Sequence, residues 1–272
     1  MPEIAEVRTV RKVLKDRLVG RTITDISYRY DGIIKSDKDE FKNVLKNKTI
    51  TDVDNLGKWI FIKLDDYTIL SHLRMEGKYY IKPSNEEYEK HEHIIFNLDD
   101  GYDLMYKDVR KFGVMYLVKT KDILNTPEIS KLGIEPDSES LTKEYIYDKV
   151  HKSNKPIKEL LLDQSIINGL GNIYVDEVLF KSGVKPTRLG NTIKLKECAS
   201  IKDACYEIIT KATECGGTTI RSYTSSLGVE GRYQEFLQVH TKVNKPCPVC
   251  GNIIKKIRVG GRGTYYCNKC QK

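Results

Sequence analysis

Three absences bound this 272-residue chain before any motif is considered. It has no run of about 18 apolar residues, the length a helix needs to cross a bilayer, so no membrane span is expected. Its first residues are charged where a secretory signal needs an apolar stretch, and a soluble, cytoplasmic protein is expected. Its seven cysteines are an odd number, which in a chain without such a signal argues against a disulfide framework and for a reducing compartment. Acidic residues are missing in one place: from Thr241 to Lys272 there are eight Lys or Arg and no Asp or Glu. With a net charge of +8, this makes one tip electropositive and suits a phosphate polymer as partner.

What is present begins at Met1-Pro2-Glu3-Ile4-Ala5-Glu6. Proline tolerates a helix's first turn, where its missing N–H has no partner to lose, so Pro2 can open a helix. Once the initiator methionine is removed, Pro2 is also a free secondary amine, able to attack an electrophilic carbon and form an iminium intermediate. Glu3 and Glu6 supply carboxyls beside it. The plainer alternative is a helix start whose acids complement the dipole. Val7, Val10, Val13, Leu14 and Leu18 continue at helical spacing to Gly20. The helix dipole should favour the free amine, and the two glutamates oppose it.

From Thr22 to Val118 the pattern is β, in runs at Thr22 to Tyr30, Thr49 to Asn55, Trp59 to Leu64, Thr68 to His72, Tyr79 to Ile81, Ile94 to Leu98, Asp103 to Tyr106 and Gly113 to Val118. With a single short helix at Asp39 to Leu45, this predicts an antiparallel sandwich or barrel. Asp108 to Gly113 interleaves cations with Phe112, the composition of loops that unstack bases. Between Lys119 and Lys143 the chain turns polar, and helices follow at Leu141 to Val150, Ile157 to Leu162, Ile173 to Phe180 and Leu195 to Glu214. The joint Asn168-Gly169-Leu170-Gly171-Asn172, with Asn172 as N-cap, suits a phosphate or serves as a plain capped turn. Lys152, Lys155 and Lys158 lie close by in sequence. Gly216 to Gln238 reads as a loop that orders over a ligand.

Cys247-x-x-Cys250 and Cys267-x-x-Cys270, 16 residues apart, have zinc-ribbon spacing. Four protein thiolates leave no open position, so one structural Zn2+ and no catalytic metal is expected. Ile253 to Val259 and Thr264 to Tyr266 form strands around a Gly260-Gly261-Arg262-Gly263 tip, which holds Arg262 out as a phosphate contact or a solvated arginine. Cys198, Cys205 and Cys215 read as small hydrophobes.

Together these pieces resemble the bacterial formamidopyrimidine-DNA glycosylases over essentially the whole chain. The matching segments are the Met-Pro-Glu start, Gly57-Lys58, His72 to Gly77, Lys90 to His93, Asp108 to Gly113, Leu132-Gly133 with Glu135-Pro136, Asn168 to Glu177, Gly216 to Tyr223 and the zinc ribbon. The resemblance implies an α+β fold in three parts: a catalytic β-sandwich with a nucleophile helix at 1–133, a helix-two-turn-helix DNA-binding domain with a lesion loop at 134–240, and a zinc ribbon at 241–272. It implies excision of oxidised purines from duplex DNA followed by nicking of the abasic strand. Pro2 would attack the sugar C1′, Glu3 would act as acid and proton shuttle, and Lys58 and Arg262 would grip phosphates and assist the eliminations. Met75, Arg110 and Phe112 would fill the void left by the rotated nucleotide. His91, Arg110, Lys155 and Asn172 would hold DNA, and Thr219, Ser222 and Tyr223 would close over the base. A monomer with nucleoid DNA as its partner is expected.

Two positions depart from the family opening: Ala5 stands for a customary proline and Arg8 for a customary glutamate. The endonuclease VIII branch, which prefers oxidised pyrimidines, shares the Pro2 chemistry, but the Arg110-x-Phe112 pair, the Met75 context and the loop through Tyr223 favour purines. A zinc-ribbon DNA-binding protein without catalysis accounts for the charge and the cysteines and leaves Pro2 without a purpose.

Overall fold

The computed structural model describes residues 1–218 and 231–272. The chain forms two compact units, Met1–Ser130 with Gly216–Gly231, and Lys131–Cys215 with Arg232–Lys272. Among the described residues no helix is long and apolar enough to cross a membrane.

The first unit opens with α1 (Ile4–Leu18), which buries Val7, Val10, Leu14 and Leu18 at helical spacing. Its basic last turn, Lys15 and Arg17, complements the dipole, and Gly20 follows it with φ +88. One five-stranded antiparallel sheet runs β2-β1-β7-β8-β6, from β1 (Thr22–Tyr28), β2 (Lys48–Thr49), β6 (Lys78–Pro83), β7 (Glu92–Leu98) and β8 (Tyr102–Lys107). A four-stranded sheet runs β3-β4-β5-β9, from β3 (Asp52–Leu56), β4 (Trp59–Leu64), β5 (Tyr67–His72) and β9 (Val114–Lys119). Ile26, Phe96 and Leu104 of one sheet share a core with Ile60, Ile62 and Met115 of the other and with α1. The architecture is the expected antiparallel sandwich. β4 is apolar at nearly every position because it is covered on both faces, which removes the alternation of a half-exposed strand.

One expected strand, Thr49 to Asn55, is two. Lys48–Thr49 pairs with β1 and Asp52–Leu56 pairs with β4, in different sheets. The chain crosses between them at the fully buried Ile50, whose N–H donates to the Arg21 carbonyl and whose carbonyl accepts from Gly20. α2 (Lys38–Leu45) is capped by Asp37, whose carboxylate accepts the Glu40 N–H.

The second unit contains α3 (Lys143–Val150), α4 (Ile157–Leu162), α5 (Asn172–Lys181), α6 (Leu195–Glu214) and the hairpin of β10 (Lys255–Val259) and β11 (Arg262–Tyr266). α6 packs on α3 and α5, and α5 packs on β11. α3 starts two residues after the expected Leu141, because Thr142 takes the N-cap and accepts the Tyr145 N–H. Gln164 builds the joint before α5: its amide donates to the Leu162 and Leu170 carbonyls and accepts the Gly169 N–H. The Gly133 N–H donates to the Gln164 carbonyl, and a Cβ at Gly133 would stand 2.3 Å from the Ile166 carbonyl oxygen. Only glycine fits there.

Candidate functional site

In the first unit, the chain start is assembled by a capping box. Pro2 is buried and stands two residues before α1, not in its first turn as the sequence suggested, because Glu3 takes the N-cap. The Glu3 side chain accepts the Glu6 N–H, and Glu6 Oε2 accepts the Glu3 N–H at 2.9 Å. The other Glu6 oxygen accepts the N–H of Thr218 at 2.6 Å and its hydroxyl at 3.0 Å. Gly217, with φ +79, lies so close to Glu6 that a Cβ would stand 2.6 Å from Oε1. Glu6 therefore ties the N-terminus to residues 217–218. Thr219, Ser222 and Tyr223 lie outside the described residues.

The terminal amine, here that of Met1, is pulled below its ordinary pKa chiefly by burial, with Lys58 acting in the same direction. Glu3, Glu6 and Glu76 oppose the shift without cancelling it. This shift belongs to the Met1 amine, since Pro2 is an amide while Met1 is attached. Lys58 is buried at the turn into β4, after Gly57 with φ +54. His72 closes β5 against Trp59, with ring centres 4.9 Å apart, and its Nδ1 accepts the Arg74 N–H. Burial lowers its pKa to about 3, with Arg74 and Lys58 pushing the same way, so it stays neutral at physiological pH.

The two exposed loops of this unit share a support. Met75, 39% exposed, lies in the turn after β5, and Phe112, 50% exposed, in the loop before β9. A Cβ at Gly77 or Gly113 would fall 2.1 or 1.7 Å from the hydroxyl of the buried Tyr106, so both loops pack against one ring. The Arg110 guanidinium lies 4.6 Å from the centre of the Phe112 ring. His91, half-buried with φ +72, sits 6.0 Å from the His93 ring.

In the second unit the four cysteine sulfurs lie within 4.8 Å of one another, with Cys247 to Cys270 at 3.8 Å and Cys250 to Cys267 at 3.4 Å. Thiolates about 2.3 Å from a tetrahedral zinc stand about 3.8 Å apart, so the tetrad fits that ion, with no position left for water. The hairpin tip is Gly260-Gly261 alone. Arg262 starts β11 opposite Val259, so its exposed side chain springs from a strand and not from the tip.

Asn172 is the first residue of α5 and Gly171 is the cap, which corrects the expected N-cap role. The Asn172 amide reaches across to the Gly263 carbonyl at 3.0 Å. Of the three nearby lysines, Lys152 and Lys155 are exposed, whereas Lys158 is fully buried on Asp176 at 2.7 Å and also donates to Gly263 at 3.2 Å. The other Asp176 oxygen faces His240 Nδ1 at 2.8 Å and the Tyr265 N–H at 3.3 Å. Glu177 accepts the N–H groups of Gln238, Val239 and His240, and burial raises its pKa. Sequence reasoning named Glu6 only as a carboxyl beside Pro2 and gave no individual role to Asp108, Asp176 or Glu177. Only Glu6 left a signal, its spacing of three from Glu3.

Residues 1–115 match the formamidopyrimidine-DNA glycosylase N-terminal domain, residues 132–224 the H2TH domain of the same enzymes, and residues 244–272 the zinc finger found in FPG and IleRS. The chain is 43% identical over 273 residues to the formamidopyrimidine-DNA glycosylase of Bacillus anthracis, covering 100% of this chain and 99% of that one. A Lactococcus lactis FPG mutant in complex with DNA containing Fapy-dG has a TM-score of 0.95 at 39% identity, over 100% of both chains. The Lactococcus lactis Fpg complex with DNA containing an abasic site has a TM-score of 0.94 at 39% identity, over 99% of both.

Proposed function

Because the chain belongs to the formamidopyrimidine-DNA glycosylase family, we infer that it is a bifunctional DNA glycosylase and abasic-site lyase of base excision repair, acting on oxidised purines in double-stranded DNA. Its relatives named above are bacterial, and we place it in the bacterial cytoplasm, on nucleoid DNA when bound.

The residue assignments are our proposal. After removal of Met1, the Pro2 nitrogen forms a bond to C1′ of the damaged nucleotide as the oxidised base leaves with a proton. Glu3 protonates the ring oxygen, the sugar opens and an iminium remains on Pro2. Loss of a C2′ proton expels the 3′ phosphate, and a second elimination expels the 5′ phosphate. Lys58 and Arg262 hold these phosphates and stabilise their departure. His91, Arg110, Lys155 and Asn172 contact the DNA backbone, with Met75, Arg110 and Phe112 in the space vacated by the base. Thr219, Ser222 and Tyr223 contact the extruded base. The zinc ion holds the hairpin and takes no part in the chemistry.

The observation that carries this reading is the environment of the chain start: Pro2 is buried next to the Glu3–Glu6 capping box, and the buried Lys58 acts on the charge of the terminal amine. Borohydride reduction of the protein on a duplex with 8-oxoguanine opposite cytosine tests it. A covalent adduct is expected for the processed chain and none for Pro2→Gly. A chain retaining Met1 has an amide at Pro2; it should bind the duplex and give no Pro2 adduct. An adduct that survives in Pro2→Gly at full yield would remove Pro2 from the nucleophile's role.

A further inference from the structure

We propose that Asp108 is a positioning residue for nucleotide extrusion: its buried carboxylate assembles the Arg110 and Phe112 wedge before any DNA is bound. The inference rests on the glycosylase reading above and adds to it the part that sets the wedge. Asp108 is fully buried, and its polar atoms are engaged by its own loop, by His91 and by His93 of β7. Oδ1 accepts the Arg110 N–H at 3.0 Å, and Oδ2 accepts those of Phe112 and Gly113 at 2.9 and 2.8 Å. Its backbone N–H donates to the His91 carbonyl, and its carbonyl accepts from the Lys111 N–H and from His93 Nε2 at 2.9 Å.

Three N–H groups converging on one carboxylate close the loop into a nest, so the charge is met by main-chain dipoles. Two outer contacts complete the lock. Lys111, at φ +57, lays its ammonium 4.2 Å from the centre of the Tyr30 ring, and Gly113 is pressed against Tyr106. The physical consequence concerns Phe112. A ring on an unrestrained loop gains by folding back onto apolar surface, yet this one is held half-exposed with Arg110 stacked on it. Its ordering cost is met during folding and not at the moment a base pair opens. The wedge therefore enters the helix as a rigid tooth.

A residue that only sets the wedge matters where a base pair must be broken and not elsewhere, which separates this role from a general structural one. Asp108→Asn keeps the side chain's shape and turns one acceptor oxygen into a donor facing N–H groups. Tyr30→Leu loosens the same loop from outside should the first variant fold poorly; zinc content and thermal melting report the fold of each. Two reactions are compared: single-turnover excision of 8-oxoguanine from a duplex, and nicking of a preformed abasic site in a single-stranded oligonucleotide, where nothing has to be extruded.

Misplacing an element by about 1 Å can cost up to about a hundredfold. A loss of roughly tenfold or more is expected for Asp108→Asn on the duplex, and a smaller one for Tyr30→Leu, with the single-strand reaction within about twofold of the parent. Unchanged duplex excision overturns the proposal, and so does an equal loss in both reactions. A parent protein inactive on both substrates overturns the glycosylase reading itself.

Discussion

Removing either partner of the buried Lys158–Asp176 pair should destabilise the second unit far more than any surface ion pair does. Both side chains are fully buried and 2.7 Å apart. Lys158→Met leaves a buried carboxylate facing His240 and the Tyr265 N–H without its ammonium, and Asp176→Leu leaves a buried ammonium without its carboxylate. Breaking a buried pair from one side costs about 3–5 kcal/mol, because the remaining charge is uncompensated. For a protein of this size that lowers Tm by roughly 10 °C. The double substitution removes both charges, so it should cost less than the sum of the singles, with a coupling of about 2 kcal/mol. Urea unfolding of the four proteins with zinc present measures the cycle. Singles that each cost under about 1 kcal/mol and add without coupling would show a wet, solvent-screened pair, and the reasoning fails. Because Gly263 adjoins Arg262, the variants should also shift the products from the second elimination toward the first.

Stripping the metal with a chelator, or Cys250→Ser, should melt the β10–β11 hairpin and reduce DNA affinity by at least about tenfold while the sandwich keeps its circular dichroism, since a structural zinc supplies its module's folding energy. DNA affinity should fall steeply with salt: about six phosphate contacts give a slope of about −5 in log K against log salt, and a flat plot by fluorescence anisotropy would contradict the interface. His72 has a folded pKa of about 3 against an ordinary value of 6.5, so the unfolded chain takes up its proton first as pH falls. Stability is therefore intact above about 6.5 and declines by up to about 1.4 kcal/mol per unit below it from this group alone. His72→Gln should flatten that part of the Tm profile between about pH 4 and 6.5. Gly133→Ala should cost roughly 2–3 kcal/mol, because the new methyl meets backbone that cannot yield.

The sandwich, the four main helices and the cysteine tetrad were legible in the sequence because each has a periodicity or spacing that local physics imposes. What the sequence hid was decided across distance. The Thr49 to Asn55 run alternates like one strand, and only the burial of Ile50 between two sheets splits it. Lys158 is indistinguishable from Lys152 and Lys155 as a letter, and it is Asp176, eighteen residues on, that draws it inside. Asn172 has the composition of an N-cap, yet a hairpin ninety-one residues away claims its amide. The carboxylates of Asp108 and Glu177 work by accepting main-chain N–H groups, and such partners leave no trace in side-chain patterns.

The capping box at the chain start places a demand on Glu3 that goes beyond holding a helix. As an acceptor it closes the first turn of α1, and as the proposed proton carrier it must give up part of that acceptor character whenever it is loaded. Only half of the box answers to the proton, since the Glu3 N–H stays on Glu6. Loss of a cap costs about 1 kcal/mol, less than about twice the thermal energy. The turn that follows the proposed nucleophile, Pro2, would thus loosen in step with the proton's arrival and tighten at its departure. On the proposed mechanism this would give the Pro2 nitrogen slack at the stage when the opening sugar moves C1′, while the far end of the helix stays locked in the core.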